Sequence, residues 1–470
     1  MRCFVRTQHL IPVGLAVLLM GAGAAENASL IEAARTGDRA AVKTLVQKGE
    51  NVNAAQGDGT TALHWASYRD DVEAADLLLK AGAKVNAAND LGATPLWTAS
   101  LNGSSAMVRR LLQAGANPNL GLLAGETPVM VASRSGAADV VEQLIAKGAN
   151  VNAHGTRDQT ALMWAVAQRH PDVVKVLLAH GADVHAKSAV WNQVMAVSPH
   201  GLPEYNKSIP HGGETAMMFA ARVGDLPSAQ LLVTAGANVN DTDAWGVSAT
   251  TLAAHSGFTE FVEFLLSKGA DASAEAAGFS ALHCAIMRRD EKMAAALLEH
   301  GADPNAPLRT WTPTRRSSAD FNFEPPLVGS TPFWLAARFT QPGVMRLLLK
   351  RGADAKFVHH STYWTGEPAV ERKQVTTAAM AAAGMGGAAP WVQPPADQRE
   401  ALTLEAIQIA AEAGVDLNVP NTDGRTAVDA AKAARFEKVV QFLVGKGATA
   451  GKVIEGKPST IGRPIGRPII

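Results

Sequence analysis

His359-His360 is the only adjacent histidine pair in the chain, and His200 and His211 lie within one stretch, AVWNQVMAVSPHGLPEYNKSIPHGG. Histidines gathered from such stretches could hold a divalent metal through neutral imidazole nitrogens. Their spacing matches no zinc pattern and no cysteine completes a ligand set, so they are expected to be solvent-exposed and no metal is assigned. Arg315-Arg316 could grip a carboxylate or phosphate through paired N–H donors. Glu367 and Glu371 stand near one another without a base partner. Cys284 lies inside a helical pattern and is expected to be a small buried apolar residue rather than a reactive thiol. The sequence has no GxSxG elbow, phosphate loop, HExxH or dinucleotide fingerprint. No catalytic residue and no cofactor are assigned, and the expectation is that the protein is not an enzyme.

The elements that would have to position these groups repeat. A five-residue mark occurs as GENVN at Gly49, GAKVN at Gly82, GANPN at Gly115, GANVN at Gly148 and GADVH at Gly181, each 33 residues after the last. It continues at Gly236, Gly269, Gly301, Gly352, Gly414 and Gly447. Twenty-one residues before most of these glycines stands a helix start, such as TALHWA at Thr61, TPLWTA at Thr94 or TALMWA at Thr160. Threonine caps a helix by accepting from an orphan N–H, and proline is tolerated in the first turn. A second helix follows, as in DVEAADLLLKAGA, with apolar residues three and four apart. Leu78 and Leu178 are expected in its core. The glycine suits the left-handed position past that helix.

This pattern resembles the ankyrin repeat, a family with a TPLH-type helix start and a 33-residue period. The resemblance covers roughly residues 27–450, apart from inserted segments. It implies an all-α solenoid of about eleven helix-turn-helix units joined by β-turn fingers, with capping repeats at both ends. The TPLH histidine is kept only at His64 and His283; Trp97, Met130, Met163, Met218, Thr251, Trp334, Met380 and Asp429 replace it elsewhere. Those replacements are expected to weaken the polar ladder between repeats. The family's usual role implies an interaction scaffold whose finger edge and concave face engage protein partners.

Three intervals between marks, 55, 51 and 62 residues, exceed the period. The surplus defines four segments, 186–212, 306–328, 356–375 and 386–400, which hold 11 of the chain's 24 prolines and are expected to be loops. The first three fall in fingers. The fourth falls between two helices of one repeat and is expected to project from the opposite edge. Each carries one tryptophan: Trp191, Trp311, Trp364 and Trp391. Tyr205, Phe321, Phe323 and Tyr363 lie there too. Two roles stand open for these aromatics. Either they plug the loops onto the solenoid, or Trp191, Tyr205, Trp311, Arg315, Arg316, Phe321, Tyr363, Trp364 and Trp391 face a partner, as aromatic and arginine residues do at binding hot spots.

The resulting organisation is a signal peptide over 1–25 and repeat blocks over 26–185, 213–305, 329–355 and 376–450. The insertions 186–212, 306–328 and 356–375 separate these blocks, 386–400 lies inside the last, and a disordered tail covers 451–470. Arg2 and Arg6 precede the apolar run LIPVGLAVLLM, and Ala22-Gly23-Ala24 offers small residues for cleavage. The run is short for a membrane span. Export to a periplasm or the medium is expected, with retention by an uncleaved anchor as the alternative. With 43 basic and 43 acidic side chains, nothing broad favours nucleic acid. The expected partner is protein and the expected state a monomer. Two other classes stay open: an accessory or chaperone-like factor for an exported enzyme, and an enzyme or metal-binding protein using the insertions.

Overall fold

The computed structural model describes residues 28–196, 206–311, 323–365, 370–389 and 391–452. Among them, α-helices follow one another in eleven pairs, from Ala28–Thr36 with Arg39–Gln47 to Ala427–Ala434 with Glu437–Gly445. The first helix of a pair is short and begins as the sequence dictates. The Thr94 hydroxyl accepts from the Trp97 N–H at 3.1 Å, and Pro95 occupies the first turn. Several second helices are capped by a carboxylate or hydroxyl, as where Asp71 accepts from the Ala74 N–H at 3.0 Å, whereas others, such as Pro171–Ala179 after His170, have no side-chain cap. Gly82, at φ 90°, ends that helix in the left-handed region.

Two compact units are distinguished, 28–132 with 142–149 and 133–141 with 150–452, so the division falls inside the pair Pro128–Ser135 and Ala138–Ala146. In the first unit the helices Ala28–Thr36, Ala62–Tyr68 and Pro95–Leu101 pack in series, and so do their second helices. In the second unit the first helices pack in series from Ala161–Ala167 to Ala427–Ala434. Alanine makes this close approach possible. Ala66, Ala99, Ala165, Ala253, Ala285 and Ala336 are all fully buried. Leu78 is buried as expected, but Leu177 takes the equivalent place in its repeat and Leu178 is only half-buried. Cys284 is buried, and burial pushes its thiol up to about 12.

Two kinds of polar link join neighbouring repeats. In one, the asparagine ending the five-residue mark donates to the next mark's glycine carbonyl and accepts from the N–H two residues beyond it. Asn152 does so with Gly181 at 3.0 Å and Asp183 at 2.8 Å, and Asn305 with Gly352 at 3.0 Å and Asp354 at 2.7 Å. The Asn305 link spans the second insertion, so the repeats on either side of it stay in register. His185 and Lys356 stand where that asparagine would be, the one directly before the first inserted segment and the other opening the third.

The other link starts from the fourth residue of the helix motif. His64 binds the Ala93 carbonyl through Nε2 at 3.0 Å, while its Nδ1 accepts from the Thr61 N–H at 3.1 Å. The expected weakening of this ladder is not found at every replaced position. The indole N–H of Trp97 donates to the Glu126 carbonyl at 2.9 Å, and that of Trp334 donates to the Thr376 carbonyl at 3.3 Å. Both carbonyls precede the next helix cap, as the Ala93 carbonyl does. An indole thus delivers its N–H to the place an imidazole N–H would occupy.

The first and third insertions are not loops. Strand β1 (Trp191–Ala196) pairs antiparallel with β2 (Asn206–His211), Trp191 opposite His211. Strand β3 (His359–Thr365) pairs antiparallel with β4 (Val370–Thr376), His359 opposite Thr376 and Tyr363 opposite Arg372. In β3 burial alternates with the pleat: His359 and Ser361 are buried, His360 and Thr362 exposed. The buried face is polar, so no hydrophobic period marked it in the sequence. The fourth insertion also departs from expectation. It leaves between the helices Ala378–Ala382 and Arg399–Glu412, but then folds back over the first helices instead of projecting from the far edge.

Candidate protein-interaction surface

In the first unit the fingers and first helices form a face rich in large apolar side chains. Trp65 and Tyr68 lie one turn apart on Ala62–Tyr68, their rings 5.9 Å apart edge to face. The Trp65 indole N–H is held by Gln56 at 3.2 Å and the Trp97 indole by the Glu126 carbonyl at 2.9 Å, which fixes both rings beside their fingers. Successive finger tips are joined where the Leu123 N–H donates to the Leu91 carbonyl at 3.0 Å. Gly92, between them, sits at φ 84°, and a Cβ there would come 2.9 Å from the Leu123 nitrogen, so glycine is what lets the tips touch. Leu123 is 84% exposed, Tyr68 60% and Leu91 58%. Isolated exposed apolar residues are ordinary, but two on joined finger tips present apolar surface of the sort proteins use for partners.

In the second unit the inserted aromatics are held by their own chain to different degrees. Trp191 is half-buried; it stacks on His211 at 5.7 Å and lies under the Arg157 guanidinium, 4.2 Å from the ring centre. Trp311 is buried. Trp391 packs on Phe323 at 5.4 Å and edge-on to His255 at 5.5 Å. Phe323 in turn tilts against Phe279 at 5.3 Å. Tyr363 is half-buried, and Trp364, 37% exposed, points from the other side of β3. Tyr205, Arg315, Arg316 and Phe321 lie outside the described residues, as does His200. The five described candidates, Trp191, Trp311, Tyr363, Trp364 and Trp391, lie on four separate insertions. The leucine tips were not singled out by the sequence reading; GLLAGE, apolar in a finger where neighbours carry polar residues, was the available signal.

The histidines serve the packing. His359, expected at the surface, is fully buried: its Nε2 meets the Val328 carbonyl at 2.9 Å and its ring lies 4.3 Å from that of Trp334. Burial lowers its pKa, as it does for His64 and, to about 4, for His283. Among the described residues no three histidine, cysteine or acidic side chains gather as metal ligands would, and no helix is long and apolar enough to cross a membrane. A depression of about 590 Å³ between Pro342–Lys350 and Arg399–Glu412 is lined by Arg346, Asp354, Lys356 and Glu412 among others. It lies beside Gly414, where Lys356 replaces the linking asparagine.

The sequence profile described as Ankyrin repeats (3 copies) matches residues 30–121, 115–188 and 208–307, and that described as Ankyrin repeats (many copies) matches 162–233. The chain belongs to the ankyrin repeat family. An ankyrin repeat and KH domain-containing protein of Caenorhabditis briggsae is 28% identical over 263 residues, which are 52% of this chain and 9% of that protein. The crystal structure of the human ASB11 ankyrin repeat domain is 32% identical and covers 50% of this chain and 96% of its own, with a TM-score of 0.42. The helix pairs after residue 307 lie beyond the matched segments but carry the same caps and marks.

Proposed function

We propose that the protein is an exported, non-enzymatic scaffold that captures a protein partner on the face made by Trp65, Tyr68, Leu91, Trp97 and Leu123. The observation that carries this is the pair of adjoining finger tips bearing Leu91 and Leu123, held together by a backbone hydrogen bond and turned to solvent. A preordered apolar face binds with little ordering cost, and a partner segment with aliphatic or aromatic side chains suits it. Export rests on the basic and apolar N-terminal run, and a monomeric state on the self-contained packing of each repeat on its neighbours.

Crosslinking of the secreted chain in its native host, followed by mass spectrometry, would identify the captured protein. The double variant L91D/L123D should keep the circular dichroism and melting of the parent, because both side chains are exposed, and lose at least tenfold in affinity for that protein. Unchanged affinity in a folded double variant would remove this face from the reading.

A further inference from the structure

The fourth insertion lies over the helix Pro332–Arg338 in a way that uses almost none of its own side chains. Arg338, the last residue of that helix, is 3% exposed. Its Nε donates to the Gly387 carbonyl at 2.9 Å and its Nη2 to the Ala388 carbonyl at 2.5 Å. Glu324, from the second insertion, accepts from the Ala389 N–H. Two side chains of opposite charge therefore hold three consecutive residues by backbone groups alone. The third guanidinium nitrogen, Nη1, is buried and has no hydrogen-bond partner among the described residues. The Trp391 ring packs on Phe323 and edge-on to His255.

Small residues are required beneath it. A Cβ on Gly386 would come 2.7 Å from the Trp334 ring, and one on Gly387 2.9 Å from Pro326. Gly386, Gly387 and Ala388 all have positive φ, at 101°, 68° and 53°. For alanine this conformation is unfavourable by about 1 kcal/mol, so the site holds its occupant in a shape the free segment avoids.

We propose that Arg338, Glu324, Phe323 and His255 form a peptide-reading site, filled in cis by Gly387, Ala388, Ala389 and Trp391 and able to accept the same chemistry from a partner. That chemistry is a glycine- and alanine-rich stretch able to take positive φ at three successive residues, followed by an aromatic side chain two residues on. The site fixes backbone polarity and spacing and reads one side chain. It is separate from the Leu91–Leu123 face and does not depend on it. The tethered segment competes at an effective concentration on the order of millimolar, so a partner engages only when it outcompetes the tether or when Trp391 is withdrawn.

The test uses the full chain and a fluorescein-labelled peptide, GGAAPWV, corresponding to residues 386–392. Fluorescence polarisation should show W391A binding the peptide at least tenfold more tightly than the parent chain, and neither protein binding GGAAPAV. In the W391A background, E324Q should weaken the peptide at least tenfold, while circular dichroism reports that both proteins are folded. Folded W391A that binds no better than the parent, or that does not distinguish the two peptides, would overturn the proposal. Hydrogen exchange of the parent chain gives a second reading independent of any variant. The amide of Ala389, held by Glu324, should exchange by local opening, at least tenfold faster than those of Leu335–Arg338. Exchange of both only together would mean a permanent plug and would equally overturn it.

Discussion

Replacing Trp97 with phenylalanine tests the claim that an indole does the work of the family's histidine. The substitution keeps an aromatic ring on Pro95–Leu101 and removes the N–H that meets the Glu126 carbonyl at 2.9 Å. A net hydrogen bond of this kind contributes about 1 kcal/mol. The ring is half-buried, so water can reach part of the freed site and the larger penalty of a sealed carbonyl does not apply. The lost pyrrole portion removes roughly 20–30 Å² of buried apolar area, or about 0.6 kcal/mol. The expected cost is about 1–2 kcal/mol. Trp97→His is the informative companion. It would place Nε2 towards Glu126 as His64 places its own towards Ala93, and its Nδ1 could accept from the Thr94 N–H as His64 accepts from Thr61. That variant should recover about 1 kcal/mol relative to Trp97→Phe. Urea unfolding at pH 7.5, followed by helical circular dichroism, measures both. Because adjoining repeats can unfold separately, midpoints are compared only where the slopes agree. Equal midpoints for the parent and Trp97→Phe, or a Trp97→His protein no steadier than Trp97→Phe, would refute the equivalence.

Acid should act on His283, which is fully buried and neutral, its pKa lowered by burial to about 4 from 6.5. Between those values the unfolded chain binds a proton that the folded chain refuses, so stability falls as pH drops through 6.5 and levels off below 4. The local cost reaches about 3 kcal/mol; a His283→Gln chain with the same pH profile as the parent between pH 6.5 and 4.5 would contradict this. Gly386→Ala should loosen the fourth insertion by about 1–3 kcal/mol, since it adds a Cβ 2.7 Å from the Trp334 ring at φ 101°. Faster amide exchange at Ala389 with unchanged exchange in Ala281–Arg288 is the expected signature, and parent-like exchange at Ala389 would count against it.

The repeat was legible because its physics is local. A threonine cap, a first-turn proline and a left-handed glycine each constrain a few residues, and they recur in phase from Thr61 to Gly447. Core positions followed less surely: Leu78 was placed rightly, but the heptad-like spacing of PDVVKVLLA does not say whether Leu177 or Leu178 turns inward. The hairpins were hidden for a different reason. Strand detection relies on an apolar face, and β3 and β4 turn His359, Ser361, Gln374 and Thr376 inward. The return of residues 386–391 was also invisible. It depends on Arg338 and Glu324, 14 residues apart in sequence and about 50–65 from the groups they hold, and no short-range rule links such positions. Phase gives where a segment leaves the repeat, not where it goes.

Replacing imidazole by indole at the ladder positions also changes what the seams between repeats can sense. Trp97 and Trp334 supply a donor that carries no titrating proton, whereas His64 makes the equivalent joint out of a group that does. A proton-responsive joint thus stands next to a proton-blind one. Mild acidification would slacken the array at chosen places and leave the rest taut.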